Sequence, residues 1–347
     1  MKDVKKILLI KFRHHGDVLL STPLIAACRQ QFPKAKIDFL IYEESAPLLK
    51  YHPDISQLLF VQRSWRKLKL ITRLKNEWDL IQKIRSNEYD LVLNLTEGDR
   101  GAIYTFLTQA TYRVGVDPKG KGLFFKKYFF SHLVNFDGLM KHTVEMQLDF
   151  LRVLNIQPSY ASRELKLIYQ NTDIKKVEKF YREKTVVIHP VSRWMFKAIP
   201  QTTVTYLIEE LIKTGVHVIL TGSSDPIELQ FNSQIAQAFD SSFLTDLSGK
   251  LSLLELAALI DISDMVISCD SLPMHMAACY KKPLVAVFGP TSSIRWAPWR
   301  NPNAKVVEMG LSCQPCYQAG CQNKHQSDCL IFLPKEKILN EVKQFIS

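Results

Sequence analysis

One stretch limits what this chain can fold into more than any other. Met265-Val-Ile-Ser-Cys269 is an apolar run the length of a buried strand, and it passes through Asp270-Ser271-Leu272 into Pro273 and an apolar stretch at helical spacing up to Cys279. A strand entering a helix through Asp-Ser-x-Pro leaves backbone N–H groups and the positive helix end at the carboxyl edge of a sheet. Open α/β sheets bind ligands at that edge, and the geometry suits phosphate. Ser271 adds a hydroxyl, and Asp270 accepts hydrogen bonds of the kind sugar hydroxyls donate. The plainer reading of the same residues is an N-cap followed by a first-turn proline. The stretch alone does not choose between them.

The surrounding chain supports a sheet. Lys6–Lys11, Ile37–Tyr42, Leu58–Val61 and Tyr89–Leu95 are strand-like runs separated by helical patterns such as Val18–Phe32. The alternation restarts with Thr185–His189, Val216–Thr221, Met265–Cys269 and Leu284–Phe288. Strands alternating with helices imply parallel sheets covered on both faces. At 347 residues the chain is long for one core, so two domains are expected. The polar stretch 155–164 is the linker candidate, giving domains 1–160 and 161–330, with a final helical segment 331–347 available to pack back on the N-terminal domain. No Gly-x-Gly-x-x-Gly is present, so a dinucleotide-type first turn is not supported. No run approaches eighteen apolar residues, and the apolar run after Met1-Lys-Asp-Val-Lys-Lys is too short for a signal-peptide core. A cytoplasmic protein is expected.

Charge is uneven. Residues 1–160 carry 25 Lys+Arg against 16 Asp+Glu, a net +9, and the remainder carries 20 against 18, a net +2. The first half therefore suits an acidic partner: nucleic acid, anionic lipid or a phosphorylated substrate. Two segments concentrate the excess. Arg63–Lys75 has six basic residues and no acid, with Leu, Ile and Trp at helical spacing. Lys119–Phe130 mixes four lysines, among them Lys121, Lys126 and Lys127, with five aromatics. Basic residues beside exposed apolar ones suit an anionic membrane surface. For 63–75 the blander expectation is a solvated helix face.

Of seven cysteines, Cys28, Cys269 and Cys279 sit in apolar patterns and read as buried. Cys313, Cys316, Cys321 and Cys329 cluster, with His325 among them. Ordinary loop thiols are the expectation there, and a structural zinc is the alternative.

In the second half, every loop at a strand's carboxyl end carries polar or basic residues: Ser192 and Lys197, Ser223 to Asp225, Asp270 and Ser271, Thr291 and Ser292. Several such loops on one sheet edge make a site. The first half offers a carboxylate, Asp17, just after Gly16; its bland reading is an N-cap. A cationic cradle for a diphosphate together with a carboxylate base is what transfer from a nucleotide-activated donor requires, because the leaving diphosphate needs charge stabilisation and the acceptor hydroxyl needs a base.

Lys11-Phe-Arg-His-His-Gly-Asp-Val-Leu-Leu-Ser-Thr-Pro-Leu24 resembles the opening of the ADP-heptose:lipopolysaccharide heptosyltransferases, glycosyltransferase family 9. His189-Pro-Val-Ser192 with Lys197, Leu220-Thr-Gly222 with Asp225, Leu247-Ser-Gly-Lys250, and Asp270-Ser-x-x-x-His275 through Phe288-Gly-Pro290 are similar to its later motifs, in the same order. The likeness covers nearly the whole chain and is strongest to the heptosyltransferase III branch. It implies a GT-B architecture, α/β with two Rossmann-like parallel-sheet domains facing a central cleft, the N-terminal one binding acceptor and the C-terminal one binding donor. It also implies inverting transfer from ADP-L-glycero-D-manno-heptose to the inner core of lipopolysaccharide, with Asp17 as base and no cofactor required. Ser192 and Lys197 would hold the diphosphate, supported by Ser271 and the backbone of Leu272, while Asp270 holds heptose hydroxyls. Asp225 or Glu228 would take the adenosine ribose, and Gly249 and Lys250 the adenine. Arg13, His14, Lys121, Lys126 and Lys127 are the acceptor-side candidates. His275 would be structural. Leu272 stands where many family members have glycine. The expected partners are the ADP-sugar, the lipopolysaccharide acceptor and the anionic inner face of the cytoplasmic membrane, not nucleic acid. The rival readings are an epimerase or hydrolase of nucleotide sugars on the same scaffold, and a basic nucleic-acid-binding protein.

Overall fold

The computed structural model describes residues 4–136, 140–239, 242–323 and 326–346. The chain divides into two compact units, Met1–Ile168 and Tyr169–Ser347. Each is built on one six-stranded sheet.

In the first unit the strands are β1 (Lys6–Lys11), β2 (Lys36–Tyr42), β3 (Gln57–Val61), β4 (Leu91–Asn94), β5 (Tyr112–Val116) and β6 (His132–Val134). They lie in the order β3-β2-β1-β4-β5-β6, all pairings parallel, with Ile7 opposite both Ile37 and Leu91. The second unit has β7 (Thr185–His189), β8 (His217–Leu220), β9 (Leu244–Asp246), β10 (Met265–Cys269), β11 (Leu284–Phe288) and β12 (Ala304–Glu308). Their order, β12-β11-β10-β7-β8-β9, repeats the first when taken from the opposite edge, and is again wholly parallel. Each sheet therefore reverses direction once, between β1 and β4 and between β7 and β10. Neighbouring loops diverge at that point, which leaves a crevice at the carboxyl ends.

Central strands are buried along nearly their whole length, so they read as continuous apolar runs rather than alternating ones. Helices cover them with apolar stripes: Val204, Leu207, Ile208 and Leu211 face inward from the helix Gln201–Lys213. The helix Leu253–Ile262 opens with a capping box, Ser252 Oγ accepting from Glu255 N at 3.3 Å and Glu255 Oε2 accepting from Ser252 N at 2.8 Å.

The single helix expected over 18–32 is broken into α1 (His15–Leu19) and α2 (Thr22–Gln31). Ser21 Oγ and Thr22 Oγ1 donate to the carbonyls of Val18 and Leu19, and Pro23 has no N–H to continue the ladder. The basic segment forms a short turn of helix and then α3 (Leu70–Ser86); β4 leads into α4 (Asp99–Leu107).

The chain leaves the first unit later than residue 160. Residues 161–167 are fastened to it by buried Ser162, Leu165 and Leu167, and by the Lys166 N–H donating to Thr22 Oγ1 at 3.0 Å. The final helix, Lys335–Ile346, corrects the expectation that it packs on the N-terminal domain. Its apolar face of Ile338, Leu339 and Val342 is part of the second unit's core. Among the described residues no helix is long and apolar enough to cross a membrane.

Candidate active site

In the second unit, three strand ends converge on one carboxylate. Asp270 follows β10, and its side chain is almost fully buried. Lys197, from the turn after β7, places Nζ 2.8 Å from Asp270 Oδ2 and 3.1 Å from its backbone carbonyl. Thr291, after β11, donates to the same Oδ2 at 2.7 Å. Both side-chain bonds thus fall on Oδ2. Next to this cluster begins the helix Leu272–Cys279, with Ser271 at its N-cap position in extended geometry and Pro273 in its first turn. Ser271 does not cap the helix with its side chain; Oγ donates instead to the Cys269 carbonyl at 3.3 Å and lies 3.2 Å from Ser268 Oγ. First-turn N–H groups are thus left to a ligand or solvent beside a lysine ammonium, the requirement for binding phosphate. The plainer reading holds for position, with Ser271 as the N-cap residue and Pro273 in the first turn, but no side-chain cap bond forms.

The remaining donor-side candidates divide. Ser192 Oγ closes a local turn, accepting from Trp194 N at 3.1 Å and donating to Trp194 O at 2.9 Å, so its hydroxyl is committed to that turn. Asp225 caps the helix Pro226–Ala236 by accepting from Ile227 N at 2.9 Å, and is exposed. Glu228 is buried and holds the preceding loop through Ser223 N at 2.8 Å, so of the two ribose candidates Asp225 is the one that faces outward. Gly249 has φ +69°, where a side chain is strained, and its N–H donates to the Gly222 carbonyl at 3.0 Å. That bond joins the loops after β8 and β9. Lys250 is exposed, with Nζ 2.6 Å from the Asp246 carbonyl. His275 is buried on its helix, as a structural residue would be. His189, at the end of β7, lies 2.9 Å from Thr221 Oγ1, and burial pushes its pKa down to about 4.

In the first unit, Asp17 sits in the first turn of α1, whose N-cap is His14. The N-cap reading of Asp17 therefore falls. Its Oδ1 lies 3.8 Å from Nζ of Lys11, the last residue of β1. Lys11 is buried, donates to the Leu95 carbonyl at 3.3 Å, and has its pKa lowered by that burial, against the pull of Asp17. The Asp17 carboxylate is thus held beside a buried ammonium at the carboxyl end of β1. Nothing in the sequence singles out Lys11, because a lysine closing an apolar run reads as a strand end.

At the reversal point of the same sheet lies a cavity of about 380 Å³. Arg13, Arg66 and Arg100 line it, with Tyr42, Thr96 and the start of α4 at Gly98. Arg13 is 3.5 Å from Glu97, and Arg100 is bound to Glu77. Arg66 and Arg100 are additions to the expected acceptor side; the Gly98-Asp-Arg-Gly101 turn after β4 was the signal available for Arg100. His14, Lys121 and Lys127 are exposed, as acceptor contacts need to be. Lys126 is a correction. Its side chain is buried, with Nζ bound to the Glu97 carbonyl and 3.0 Å from Asp99 Oδ1. The hydrogen bond from Lys126 holds the Asp99 carboxyl below the usual range. Lys126 fastens a loop and does not face an acceptor.

Cys313, Cys316, Cys321 and Cys329 are free thiols, and burial pushes Cys329 up to about 12. Among the described residues no group of three or more His, Cys, Asp or Glu side chains is placed to hold a metal ion. His325 lies outside the described residues.

The sequence model of glycosyltransferase family 9 (heptosyltransferase) matches residues 77–327. Lipopolysaccharide heptosyltransferase 3 of Escherichia coli is 34% identical over 296 residues, covering 83% of this chain and 85% of that protein. The crystal structure of a family 9 glycosyltransferase from Veillonella parvula superposes with a TM-score of 0.86 at 20% identity, covering 100% of this chain and 98% of that one. ADP-heptose lipopolysaccharide heptosyltransferase II of Escherichia coli gives a TM-score of 0.78 at 19% identity, covering 98% of each. The two solved structures establish the GT-B fold. The chain belongs to glycosyltransferase family 9, the heptosyltransferases, and is a glycosyltransferase.

Proposed function

We propose that this glycosyltransferase moves heptose from ADP-L-glycero-D-manno-heptose to the inner core of lipopolysaccharide, with inversion, as the heptosyltransferase III-like member of its family. The reading rests above all on the Lys197–Asp270–Thr291 cluster beside the uncapped start of the helix at Leu272. Lys197, Ser271 and the first-turn N–H groups take the diphosphate; Asp270 holds Lys197 and offers Oδ1 to heptose hydroxyls. Asp225 serves the ribose, and the loop at Gly249 and Lys250 the adenine. The acceptor oxygen attacks the anomeric carbon while its proton passes to the Asp17 carboxylate. The bond from that carbon to the diphosphate oxygen breaks, and its electron pair leaves with ADP, where Lys197 and the helix end meet the developing charge. The mechanism calls for no cofactor. Arg13, His14, Arg66 and Arg100 meet anionic groups of the acceptor, and the protein works from the cytoplasm at the anionic inner face of the membrane.

Incubation of ADP-heptose with and without heptose-deficient lipopolysaccharide tests the proposal. ADP release that depends on acceptor, with a heptose added to it, is expected. Release independent of acceptor would favour the nucleotide-sugar epimerase or hydrolase, and retention on nucleic acid with a steep salt slope and no donor binding would favour the nucleic-acid reading.

A further inference from the structure

The first half of α3 is an apolar surface that the fold does not cover. Leu70, Ile71, Leu74 and Trp78 fall on one stripe of the helix and are exposed, Ile71 to 84%. The helix is held to the sheet from an adjacent stripe, by Leu80 and Ile84. The solvated helix face expected of this segment is thus only half right, because the exposed face is apolar as well as basic. Lys67, Lys69, Arg73 and Lys75 flank it, all exposed. The surface continues. Helix α4 packs beside α3 and exposes Phe106, whose ring stacks on Phe129 with centroids 4.8 Å apart. The segment leading to Phe129 exposes Phe124 to 89%, together with Phe125 and Tyr128, among Lys121 and Lys127.

Burying apolar side chains this exposed is favourable wherever it happens, so the flanking charge identifies what covers them. Protein interfaces are depleted of lysine, whereas a lipid interface favours lysine and arginine around an apolar stripe carrying Trp, Phe and Leu. From Arg63 to Asn76 there is no acid to repel a negative surface. We infer that the face built from α3, α4 and the 123–129 segment docks on an anionic bilayer. The α3 stripe and the aromatics enter the boundary between headgroups and acyl chains, and the lysines and arginines meet lipid phosphates. This rests on the proposed membrane location but not on the chemistry of transfer.

Vesicle co-sedimentation tests it, using phosphatidylcholine alone against phosphatidylcholine with phosphatidylglycerol. The protein should bind the anionic vesicles at least tenfold more tightly than the neutral ones, and brominated lipid should quench fluorescence that the Trp78→Phe variant lacks. Ile71→Gln with Leu74→Gln should weaken vesicle binding at least tenfold at an unchanged thermal midpoint, since both side chains are exposed. Lys69→Glu with Arg73→Glu should abolish the preference for anionic lipid. No binding to anionic vesicles, or equal binding by the Ile71/Leu74 variant, would remove the surface. So would a concentration-dependent dimer that the same variant dissolves, since the occupant would then be a second copy. Transfer to a deacylated, water-soluble acceptor separates the two readings: its absence beside intact vesicle binding overturns the transferase proposal and leaves this one standing.

Discussion

Replacing Asp270 with alanine separates two effects that usually travel together, stability and ligand binding. The carboxylate lies 2.8 Å from Lys197 Nζ and 2.7 Å from Thr291 Oγ1, in a nearly dry position. Removing it leaves a largely buried ammonium without its counter-ion. At an effective dielectric of about 20, two unit charges at that separation attract by roughly 6 kcal/mol. Desolvation offsets part of this, and breaking one partner of such a pair costs about 3–5 kcal/mol. For a unit of the size of Tyr169–Ser347, the thermal midpoint should fall by about 10 °C. Binding should move the other way. Lys197 no longer has to be shared with a carboxylate, so ADP should bind at least as tightly as before. Lys197→Met, which removes the cation itself, should weaken ADP about ten- to hundredfold. Calorimetric titration with ADP well below the variant's midpoint, paired with thermal scans with and without ADP, reads both quantities. If Asp270→Ala weakened ADP as much as Lys197→Met, the carboxylate would be a ligand contact and not a restraint on the lysine. An unchanged midpoint would show that the pair carries no stability.

Asp17→Asn should abolish transfer while leaving ADP affinity within about twofold, measured by turnover and titration; an active variant would remove Asp17 from the base role. Gly249→Ala should cost about 1 kcal/mol or more, seen as a lower thermal midpoint, because the position has φ +69° and a Cβ would come 3.0 Å from Leu229 Cδ2. His189 is depressed to about 4 by burial, so it contributes stability that is present above the unfolded value near 6.5 and lost as pH falls through 4. The loss is roughly 3 kcal/mol across that window, and denaturant titrations of His189→Gln should show a correspondingly flatter acid limb.

How much of this was readable in advance follows from where residues sit in the sheets. Strands β1, β2, β7, β10 and β11 are buried along most of their length and announce themselves as apolar runs. The edge strands β6, β9 and β12 do not: the first two are three residues long, and β12 exposes Lys305 and Val306. Their pairing comes from the neighbouring strand rather than from any pattern of their own. The same holds for the site. The positions of Asp270, Ser271 and Lys197 at a sheet edge are legible because their loops follow legible strands. Glu228 and Lys126 were misplaced because nothing local distinguishes a lysine or glutamate facing solvent from one turned inward to hold a loop.

The two sheets share one strand order, and each carries a lysine–aspartate pair at its carboxyl edge, yet the order of burial within the pairs is opposite. In the first unit the lysine is the inner member, with 8% of the Lys11 side chain exposed against 15% of Asp17, at 3.8 Å. In the second the aspartate is inner, 6% for Asp270 against 17% for Lys197, at 2.8 Å. A buried charge must be compensated, so in each case the inner residue fixes the position and sign of the outer one. An outward carboxylate restrained by a hidden ammonium can accept a proton. An outward ammonium restrained by a hidden carboxylate can accept a phosphate. Exchanging the residue types within either pair would keep the net charge and the packing volume roughly constant while reversing what the edge presents. Asp17→Lys with Lys11→Asp should therefore lose transfer completely even where the protein still folds, and retained transfer in that double variant would show that the order of burial has no bearing on the chemistry.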